Sequence, residues 1–384
     1  MAKVKITGHA SGTGVVTITA PNTSTDRTIT LPDGTGTLLD ENSSLPAANL
    51  TGTVADARIS ALTASKLTGD LPAISGVNVT NVHAVNSGKK NWIINGDFSI
   101  WQRYGVAGAA QPNASYVADR WKGNNYTSGT YTFAQRTDAT GQTFTTYGRL
   151  HQSVAGSTNS RQGLDQYIEG TYLVGKTITV SFKARANAAL AGCQVRGIFT
   201  STQTFNLTTD WVKYSFTATA ISSGSTARLM VDYGFSNAVW YADIAEFQVE
   251  VGSVATDFEK RSYGEELHLC QRYYEIIAKP TAADDSPYFG IGHGVKTDQI
   301  NWYYDFKAEK RAPFTLIVNT VTNGYYGKNH SSSFNKNTLG VTMGHQSLHS
   351  IMGYMTNISG VAEQSTWTMQ CNGAGCLIAV SAEL

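Results

Sequence analysis

The chain has 384 residues, with 29 basic and 28 acidic side chains and a formal net charge of +1. This balance gives no electrostatic footprint for DNA, RNA or acidic lipid, so neither nucleic acid nor a membrane surface is an expected partner. No run approaches the roughly 18 apolar residues that span a bilayer, and residues 1–5 do not begin the apolar core of a signal peptide. We therefore expect a protein that is made in the cytoplasm and does not insert into membranes.

The composition predicts β-structure with many turns. Charged residues make up only 15 %, while glycine occurs 37 times, tyrosine 19 times and phenylalanine 14 times. Aromatic and β-branched side chains fit a half-buried pleated surface, and glycine and asparagine supply turns. The predicted class is all-β, and the length allows two or three domains.

Residues 1–42 form a first segment of short alternating strands. The apolar pairs Val4/Ile6, Val16/Ile18 and Ile29/Leu31 are separated by turns rich in glycine, proline and asparagine. A segment of this size buries too little surface to fold alone. Either partner chains complete its core, or it is mostly an extended arm.

Residues 43–88 contain a weak internal repeat. Leu45–Val54 aligns with Leu62–Leu71 at an offset of 17 residues, and both copies carry Leu-Thr-Gly before an apolar residue. A repeat that cannot bury its own apolar side must stack on neighbours or on other chains. The pattern favours a shaft of several intertwined chains, and the alternative is a flexible linker.

Residues 89–260 form the longest coherent block. Residues 91–103 predict a strand start at Trp92–Ile94, a tight turn at Asn95–Asp97, and a second short strand containing Phe98 and Ile100. Eight or nine short strands follow at regular spacing up to Phe258, which predicts a sandwich or jelly roll.

Four motifs of this block resemble the jelly-roll module of bacteriophage tail-fibre and related virion-fibre proteins, a module similar to carbohydrate-binding modules. They are N-x-I-x-N-G-D-F-x-x-W-Q-R at 91–103, A-D-R-W at 118–121, G-K-T-I-T-V-S-F-K-A-R at 175–185 and E-x-G-x-x-A-T-D-F-E at 250–259. Residues 14–38, the 17-residue repeat and residues 261–275 resemble the attachment segment, shaft and module–tip junction of the same proteins. The resemblance implies a homotrimer that attaches through its N-terminus to phage tail or neck proteins (adaptor or nozzle). It also implies a place on the virion and recognition of a host-surface glycan.

Two hypotheses concern ligands of the module. Glycan sites stack sugar rings on exposed aromatic side chains, so the tryptophans of the module are candidates for sugar contacts. The alternative is that these tryptophans belong to the hydrophobic core. They are Trp92, Trp101, Trp121, Trp211 and Trp240. Similar modules carry a structural calcium ion, for which Asp97 and Asp243 are candidate oxygen ligands. No other cofactor is expected.

Residues 261–280 change to a helical pattern. Ser262 and Glu265 have the spacing of a capping box. An apolar stripe follows at helical spacing and ends before Pro280, and it consists of Leu267, Cys270, Tyr274 and Ile277. We expect one connecting helix.

Residues 281–384 return to a β-pattern and predict a sandwich-like tip. Their aromatic strands and the loop at 323–337 are rich in tyrosine, serine, asparagine and glycine, which recognition surfaces favour. The alternative is an ordinary loop. The candidate glycan-binding residues are Trp302, Tyr303, Tyr304, Tyr325, Tyr326, Asn329 and His330.

The four cysteines are too scattered for a disulfide framework. Cys371 and Cys376 have a loop spacing, and with His345 and His349 they could form a Cys₂His₂ site. Ordinary buried thiols and surface histidines are the preferred interpretation.

No nucleophile elbow, HExxH motif or Ser-His-Asp arrangement is present, so the chain is not expected to be an enzyme. Paired carboxylates from distant strands are invisible in a sequence, which leaves a glycan-degrading tailspike as one alternative. The other alternative is a neck or head fibre or a decoration protein without a host ligand. The preferred function is a structural virion fibre that binds a host receptor through its C-terminal domains.

Overall fold

The computed structural model divides the chain into two compact units, Met1–Val79 and Thr80–Leu384. The first is described at residues 10–15, 17, 19, 22–26 and 28. The second is described from residue 90 onward, except at 104–108, 111–114, 126–129, 156–161, 170–171, 222–225, 234–237, 282–284, 320, 322–323, 330–331, 337–341, 372–374 and 384. The predicted arm strands and the shaft repeat at 43–88 therefore lie outside the described residues.

The described part of the second unit is nearly all β, which confirms the predicted class. It contains one short helix, α1 (Tyr263–Gln271), and no described helix is long and apolar enough to cross a membrane. The first eleven strands are β1 (Ala109–Ala110), β2 (Lys122–Asn125), β3 (Thr130–Arg136), β4 (Tyr147–Val154), β5 (Gln162–Glu169), β6 (Thr177–Ala186), β7 (Leu190–Arg196), β8 (Gln203–Leu207), β9 (Val212–Thr219), β10 (Thr226–Asp232) and β11 (Trp240–Val251). The last ten are β12 (Tyr274–Ala278), β13 (Tyr288–Lys296), β14 (Gln299–Asp305), β15 (Thr315–Val318), β16 (Tyr325–Lys328), β17 (Ser333–Lys336), β18 (Thr342–Gln346), β19 (Ser350–Met355), β20 (Thr366–Cys371) and β21 (Ile378–Ser381).

Strands β1–β11 build a sandwich of two antiparallel sheets. The six-stranded sheet has the order β1-β3-β4-β11-β6-β9, and the five-stranded sheet has the order β2-β5-β10-β7-β8. Because successive side chains of a strand point to opposite faces, β6 turns Ile178 and Val180 into the common core and Lys183 and Arg185 outward. The predicted jelly-roll-like sandwich is present.

The Asn91–Arg103 segment is held by side chains rather than by a strand ladder. Asn95 has a φ of 57°, and its Nδ2 donates to the carbonyls of Ile100 and Asp119, both at 2.9 Å. The predicted turn is confirmed, but residues on either side form no strand, so the two flanking strand predictions are wrong. Buried polar groups need partners, and the Asn95 side chain supplies them to the backbone at Ile100 and at Asp119.

Helix α1 begins with the predicted capping box. The Ser262 side chain accepts from the Glu265 backbone, and the Glu265 side chain accepts from the Ser262 backbone. The helix ends at Gln271, whereas Tyr274 and Ile277 lie on strand β12, which pairs with β21. The apolar stripe therefore spans two elements, and the prediction of a helix up to Pro280 is wrong because sheet pairing replaced the third helical turn.

Strands β12–β21 form a second sandwich-like body around its own core. A three-stranded sheet (β12-β21-β15) and a seven-stranded sheet (β17-β16-β20-β13-β14-β19-β18) share one hydrophobic cluster, which includes Trp302, Trp367 and Ile378. Fully buried aromatics of this size dominate the energetics of a small core.

The two bodies meet around α1 within one compact unit. Ile94, Ile100, Cys270 and Tyr273 form a small apolar cluster. Buried Arg120 pairs with Glu383, and its guanidinium carbon lies 3.5 Å above the Tyr273 ring. The N-G-D-F-x-x-W-Q-R and A-D-R-W motifs are thus the connection between the two bodies.

Cys371 and Cys376 form a disulfide, with 5.8 Å between their Cα atoms. The interpretation of both as ordinary thiols is wrong, since the short loop brings their Cβ atoms within bonding range. The Cys₂His₂ hypothesis fails for the same reason, because both sulfurs are consumed. Cys193 and Cys270 are buried thiols outside the disulfide.

Candidate ligand-binding surfaces

Three of the predicted tip residues serve the interior of the second body. Trp302 and Tyr325 are both 0 % exposed and belong to its core, so neither offers a ring to a ligand. The Tyr304 hydroxyl donates to Glu275 at 2.8 Å, and Glu275 is itself paired with buried Lys310 at 2.6 Å. The prediction that these residues contact a glycan is corrected, because strand alternation turns them inward.

The other predicted tip residues lie elsewhere. Tyr303 is 51 % exposed, and Tyr326 is half-buried on the same outward side of the sheet. The Asn329 side chain accepts from the Ser332 backbone at 2.6 Å and so stabilises the turn between β16 and β17. His330 lies outside the described residues. Tyr303 and Tyr326 remain as candidate surface residues.

The outward side of the seven-stranded sheet, which we call the tip face, carries three cross-strand rows. Side chains paired across antiparallel strands project to the same side. The rows are Thr368–Ile291–Tyr303–Met352, Thr366–His293–Asn301–Tyr354 and Tyr326–Gln370–Tyr288. Tyr288 and Ile291 are 65 % and 58 % exposed.

The three rows of the tip face are rich in tyrosine and contain no Asp, Glu, Lys or Arg side chain. Lys328 extends the first row on β16, and Asp305 lies at the end of β14. The hydroxyls of Tyr288, Tyr303, Tyr326 and Tyr354 donate to no side chain or backbone group of the described residues. Tyrosine offers an apolar ring with a polar tip, so this face suits a partner that presents both C–H surfaces and hydroxyl groups.

A second surface lies on the outward side of the six-stranded sheet and has a different chemistry. We call it the arginine face, and it consists of Arg149, Asp243, Arg185, Tyr241 and Trp211. Arg149 holds Asp243 with two hydrogen bonds, Nε to Oδ1 at 2.6 Å and Nη2 to Oδ2 at 2.8 Å. Arg185 Nε donates to the same Oδ2 at 2.9 Å. One fully buried carboxylate therefore fixes two guanidinium groups side by side.

Aromatic rings flank both arginines. The guanidinium carbon of Arg149 lies 4.0 Å from the centre of the Tyr241 ring, and that of Arg185 lies 4.9 Å from the Trp211 ring. The hydrogen bonds that Arg149 donates to Asp243 raise the pKa of Arg149 further above its already high value. For Arg185 burial opposes the charge, but the Asp243 contact prevails and raises the pKa. Both groups stay cationic at any physiological pH.

The calcium hypothesis for Asp97 and Asp243 does not fit this geometry. Both Asp243 oxygens accept from guanidinium groups, and Asp97 Oδ1 accepts from the Ser99 backbone at 3.1 Å and hydroxyl at 2.9 Å. A calcium site needs six to eight oxygens without competing cations. Within the described ranges no group of three or more His, Cys, Asp or Glu side chains is placed to hold a metal.

The module's tryptophans mostly serve packing, as the alternative hypothesis held. Trp121 and Trp240 are buried in the sandwich core, and Trp92 and Trp101 are half-buried against it. Trp211 differs, because it packs edge-on with Phe144 and Tyr147 on the arginine face.

Sequence reasoning missed Arg149, Arg185 and Tyr241. Their one visible feature was that charged or polar residues alternate with apolar ones in β4, β6 and β11. That alternation predicts an outward position, but it does not show that three strands distant in sequence place their residues in one row.

No protein-family model matches the chain, and no curated protein matches it. Among solved structures it is similar to a CBM4 structure, with 20 % identity, a TM-score of 0.29 and coverage of 41 % of this chain and 98 % of that one. It is similar to the enzymatically active domain of Bacteriophage CBA120 tailspike protein 4, with 15 % identity, a TM-score of 0.30 and coverage of 42 % and 21 %. It is also similar to TmCBM61 in complex with β-1,4-galactotriose, with 12 % identity, a TM-score of 0.29 and coverage of 43 % and 100 %. At these identities and TM-scores the likenesses carry no conclusion about function.

Proposed function

We propose that the protein is a virion fibre that recognises an uncharged host-surface glycan through the tip face. The observation that carries the proposal is the open row of exposed Tyr303 and Ile291 and half-buried Met352, with no charge among these three side chains. Exposed apolar surface of this kind marks an interaction site. The unpartnered tyrosine hydroxyls match a ligand that is itself covered with hydroxyls.

The shape of the face favours an extended ligand over a small molecule. A small ligand is held in a concave pocket that buries most of its surface, whereas the tip face is an open sheet side. A polysaccharide chain can lie across several strands and contact Tyr288, Tyr303 and Tyr326 together. Weak contacts of this kind become useful when a homotrimer presents three copies.

The fibre role is supported by the sequence motifs at 14–38, 91–103 and 261–275, which resemble segments of phage fibres. In this proposal the N-terminal segment attaches to a tail or neck protein, and the two sandwich bodies lie at the distal end. The expected mass in solution is three times 41.3 kDa, which light scattering on the full chain measures directly. A monomer at micromolar concentration would contradict the fibre role.

Glycan recognition is tested with the full chain on an array of neutral bacterial surface polysaccharides. The double variant Tyr288→Ser and Tyr303→Ser is expected to lose at least tenfold in affinity, since each stacked ring contributes about 1 kcal/mol. Tyr263→Ser is the matched control, because Tyr263 is 64 % exposed but lies on α1, away from the tip face.

Equal binding by the double variant and the control would overturn the role of the tip face. Absence of any bound polysaccharide would favour a structural fibre without a host ligand. Release of oligosaccharide from a bound polymer would replace the binding function with a degrading one.

A further inference from the structure

The two arginines of the arginine face each keep one donor group, Nη1, that no described residue accepts from. Nε of both arginines and Nη2 of Arg149 bind Asp243, and Nη2 of each lies 3.4 Å from the Tyr147 hydroxyl. The two Nη1 groups make no hydrogen bond to any described residue. The side chains of Arg149 and Arg185 are 17 % and 26 % exposed, so these donors are held in place yet reachable from solvent.

The stoichiometry leaves positive charge on this face. Two guanidinium groups share the single carboxylate of Asp243. On the opposite sheet of the same sandwich, the pairing is one to one: Arg196 pairs with Asp232 at 2.7 Å, and Arg228 pairs with Asp165. The exposed Asp138 accepts from the Tyr147 hydroxyl at 2.6 Å, and its carboxylate interacts with the charges of both Arg149 and Arg136. Three arginines against Asp243 and Asp138 leave one net positive charge here.

A cavity of about 440 Å³ continues the arginine face along β6 and β9. Lys183 lies two residues before Arg185 on β6, and Lys213 lies two residues after Trp211, which immediately precedes β9. Lys183 and Lys213 pair across these strands, so they lie on the same side of the sheet as Arg185. Together with Lys260 they line the cavity opposite Glu246 and Asp257. Its size falls in the usual range for ligand pockets, about 300–1,000 Å³. Lys183 is paired with Glu246 at 3.0 Å, so Lys213 and Lys260 against Asp257 leave one net positive charge in the cavity.

We propose that the arginine face binds an acidic saccharide, with a sugar carboxylate at the Nη1 donors of Arg149 and Arg185 and the chain continuing into the cavity toward Lys213. The Nε and Nη2 groups already contact Asp243 and Tyr147, so each Nη1 offers one charge-assisted hydrogen bond to the sugar carboxylate. Tyr241 and Trp211 border the same site and offer ring surface to a sugar. This site is separate from the tip face, so either one can fail without the other.

The test is a calorimetric titration of the full chain with oligosaccharides that contain glucuronate, galacturonate or sialate, each beside its neutral counterpart. At least one acidic member is expected to bind, with its neutral counterpart at least tenfold weaker. Arg185→Gln is expected to weaken that binding at least tenfold, while Arg185→Lys keeps part of it. The matched control is Arg196→Gln, since the Arg196 side chain is also 26 % exposed and also donates Nε to an aspartate.

Four results would overturn the proposal: no acidic member binds, acidic and neutral members bind equally, Arg196→Gln weakens binding as much as Arg185→Gln, or inorganic phosphate at equal concentration displaces the saccharide. Arg185→Gln leaves Asp243 paired with Arg149, so the fold is retained. An unchanged melting temperature of this variant confirms that a loss of binding reflects the site.

Discussion

The arginine face and the tip face are both outward sides of antiparallel sheets, yet they expose opposite chemistry. On the arginine face Asp243 is buried beneath two guanidinium groups that share it. On the tip face Tyr303 and Ile291 stand above the sheet as an uncharged cross-strand pair, with Asp305 and Lys328 at the edges of the rows. A row of fixed charged side chains selects ligands by ion pairs and charge-assisted hydrogen bonds. A row of aromatic side chains selects ligands by the apolar area that they cover and by the positions of their hydroxyl groups.

The difference shows that one architecture can carry two separate recognition chemistries on a single chain. In both bodies the inward-facing positions of the strands must be apolar because they are buried in the core. The outward-facing positions are free to carry side chains that bind partners. Substitutions in the arginine face should lower the free energy of unfolding strongly, because the Asp243 carboxylate that pairs its arginines is buried. Substitutions of exposed tip-face side chains should change it little, because these side chains contribute little to the fold.

The largest effect is expected on the inward side of the tip sheet. Trp302→Ala should lower the free energy of unfolding by about 3–5 kcal/mol, because a fully buried ring leaves a cavity. Tyr303→Ser, one residue along β14, should change it by no more than about 0.5 kcal/mol. Urea denaturation of both variants measures the contrast, and similar losses for the two would mean that Tyr303 is also part of the core.

On the arginine face, Asp243→Ala should cost about 3 kcal/mol, because it leaves two adjacent guanidinium groups without their shared carboxylate. Asp232→Ala on the five-stranded sheet is the control and should cost less, since it frees one arginine instead of two. The same denaturation experiment applies. A smaller loss for Asp243 than for Asp232 would show that the shared pairing does not organise the face.

The junction between the two bodies should respond to pH. Burial raises the pKa of Asp119 from 3.8 to about 6, against the opposing charge of Arg103 and hydrogen bonds from Gln102. A carboxyl whose folded pKa is raised contributes stability that is full below pH 3.8 and is lost as the pH rises through 6. Asp119→Asn should therefore remove the part of the pH-dependent loss in the free energy of unfolding that comes from Asp119, which is at most about 3 kcal/mol.

Denaturation midpoints of Asp119→Asn and the native chain, measured from pH 4 to pH 7, provide the readout. Burial also raises the pKa values of Glu266 and Asp165, so a residual slope of the same sign is expected in the variant. An identical slope in both proteins would show that Asp119 ionises at its ordinary pKa.

The smallest effect is expected for the salt dependence of ligand binding, which distinguishes the two faces by their charge. Raising sodium chloride from 0.05 M to 0.5 M should weaken acidic-saccharide binding at the arginine face by about fivefold, through screening of its net positive charge. Neutral-glycan binding at the tip face should change by less than about twofold. Titrations of the same sample with each ligand give both values, and equal salt sensitivity would contradict the difference in charge between the faces.

Much of the fold was accessible from local patterns. The alternation in β6 and β11, the turn at Asn95 and the Ser262–Glu265 capping box are each visible within a few residues of sequence, and the structure contains each of them. The helix end was not accessible, because residues 274–278 pair with β21 more than a hundred residues later. A 3-4-3 apolar spacing fits a helix locally, but sheet pairing decided the outcome.

The candidate sites show the same division. An aromatic run such as Trp302–Tyr304 predicts a strand with alternating sides, but the sequence does not say which side is the core. Burial of Trp302 and exposure of Tyr303 followed only from the way that the seven-stranded sheet covers its cluster.

The sequence by itself determined the all-β class, the turns and the helix cap, since these depend on residues within a few positions of each other. Only the tertiary structure decided that Arg149, Asp243 and Arg185 meet, because they are brought into one row by the register of β4, β11 and β6. Register is a property of the whole sheet: shifting one strand by a single residue moves every side chain to the other face. For this chain the recognition surfaces are therefore products of strand register.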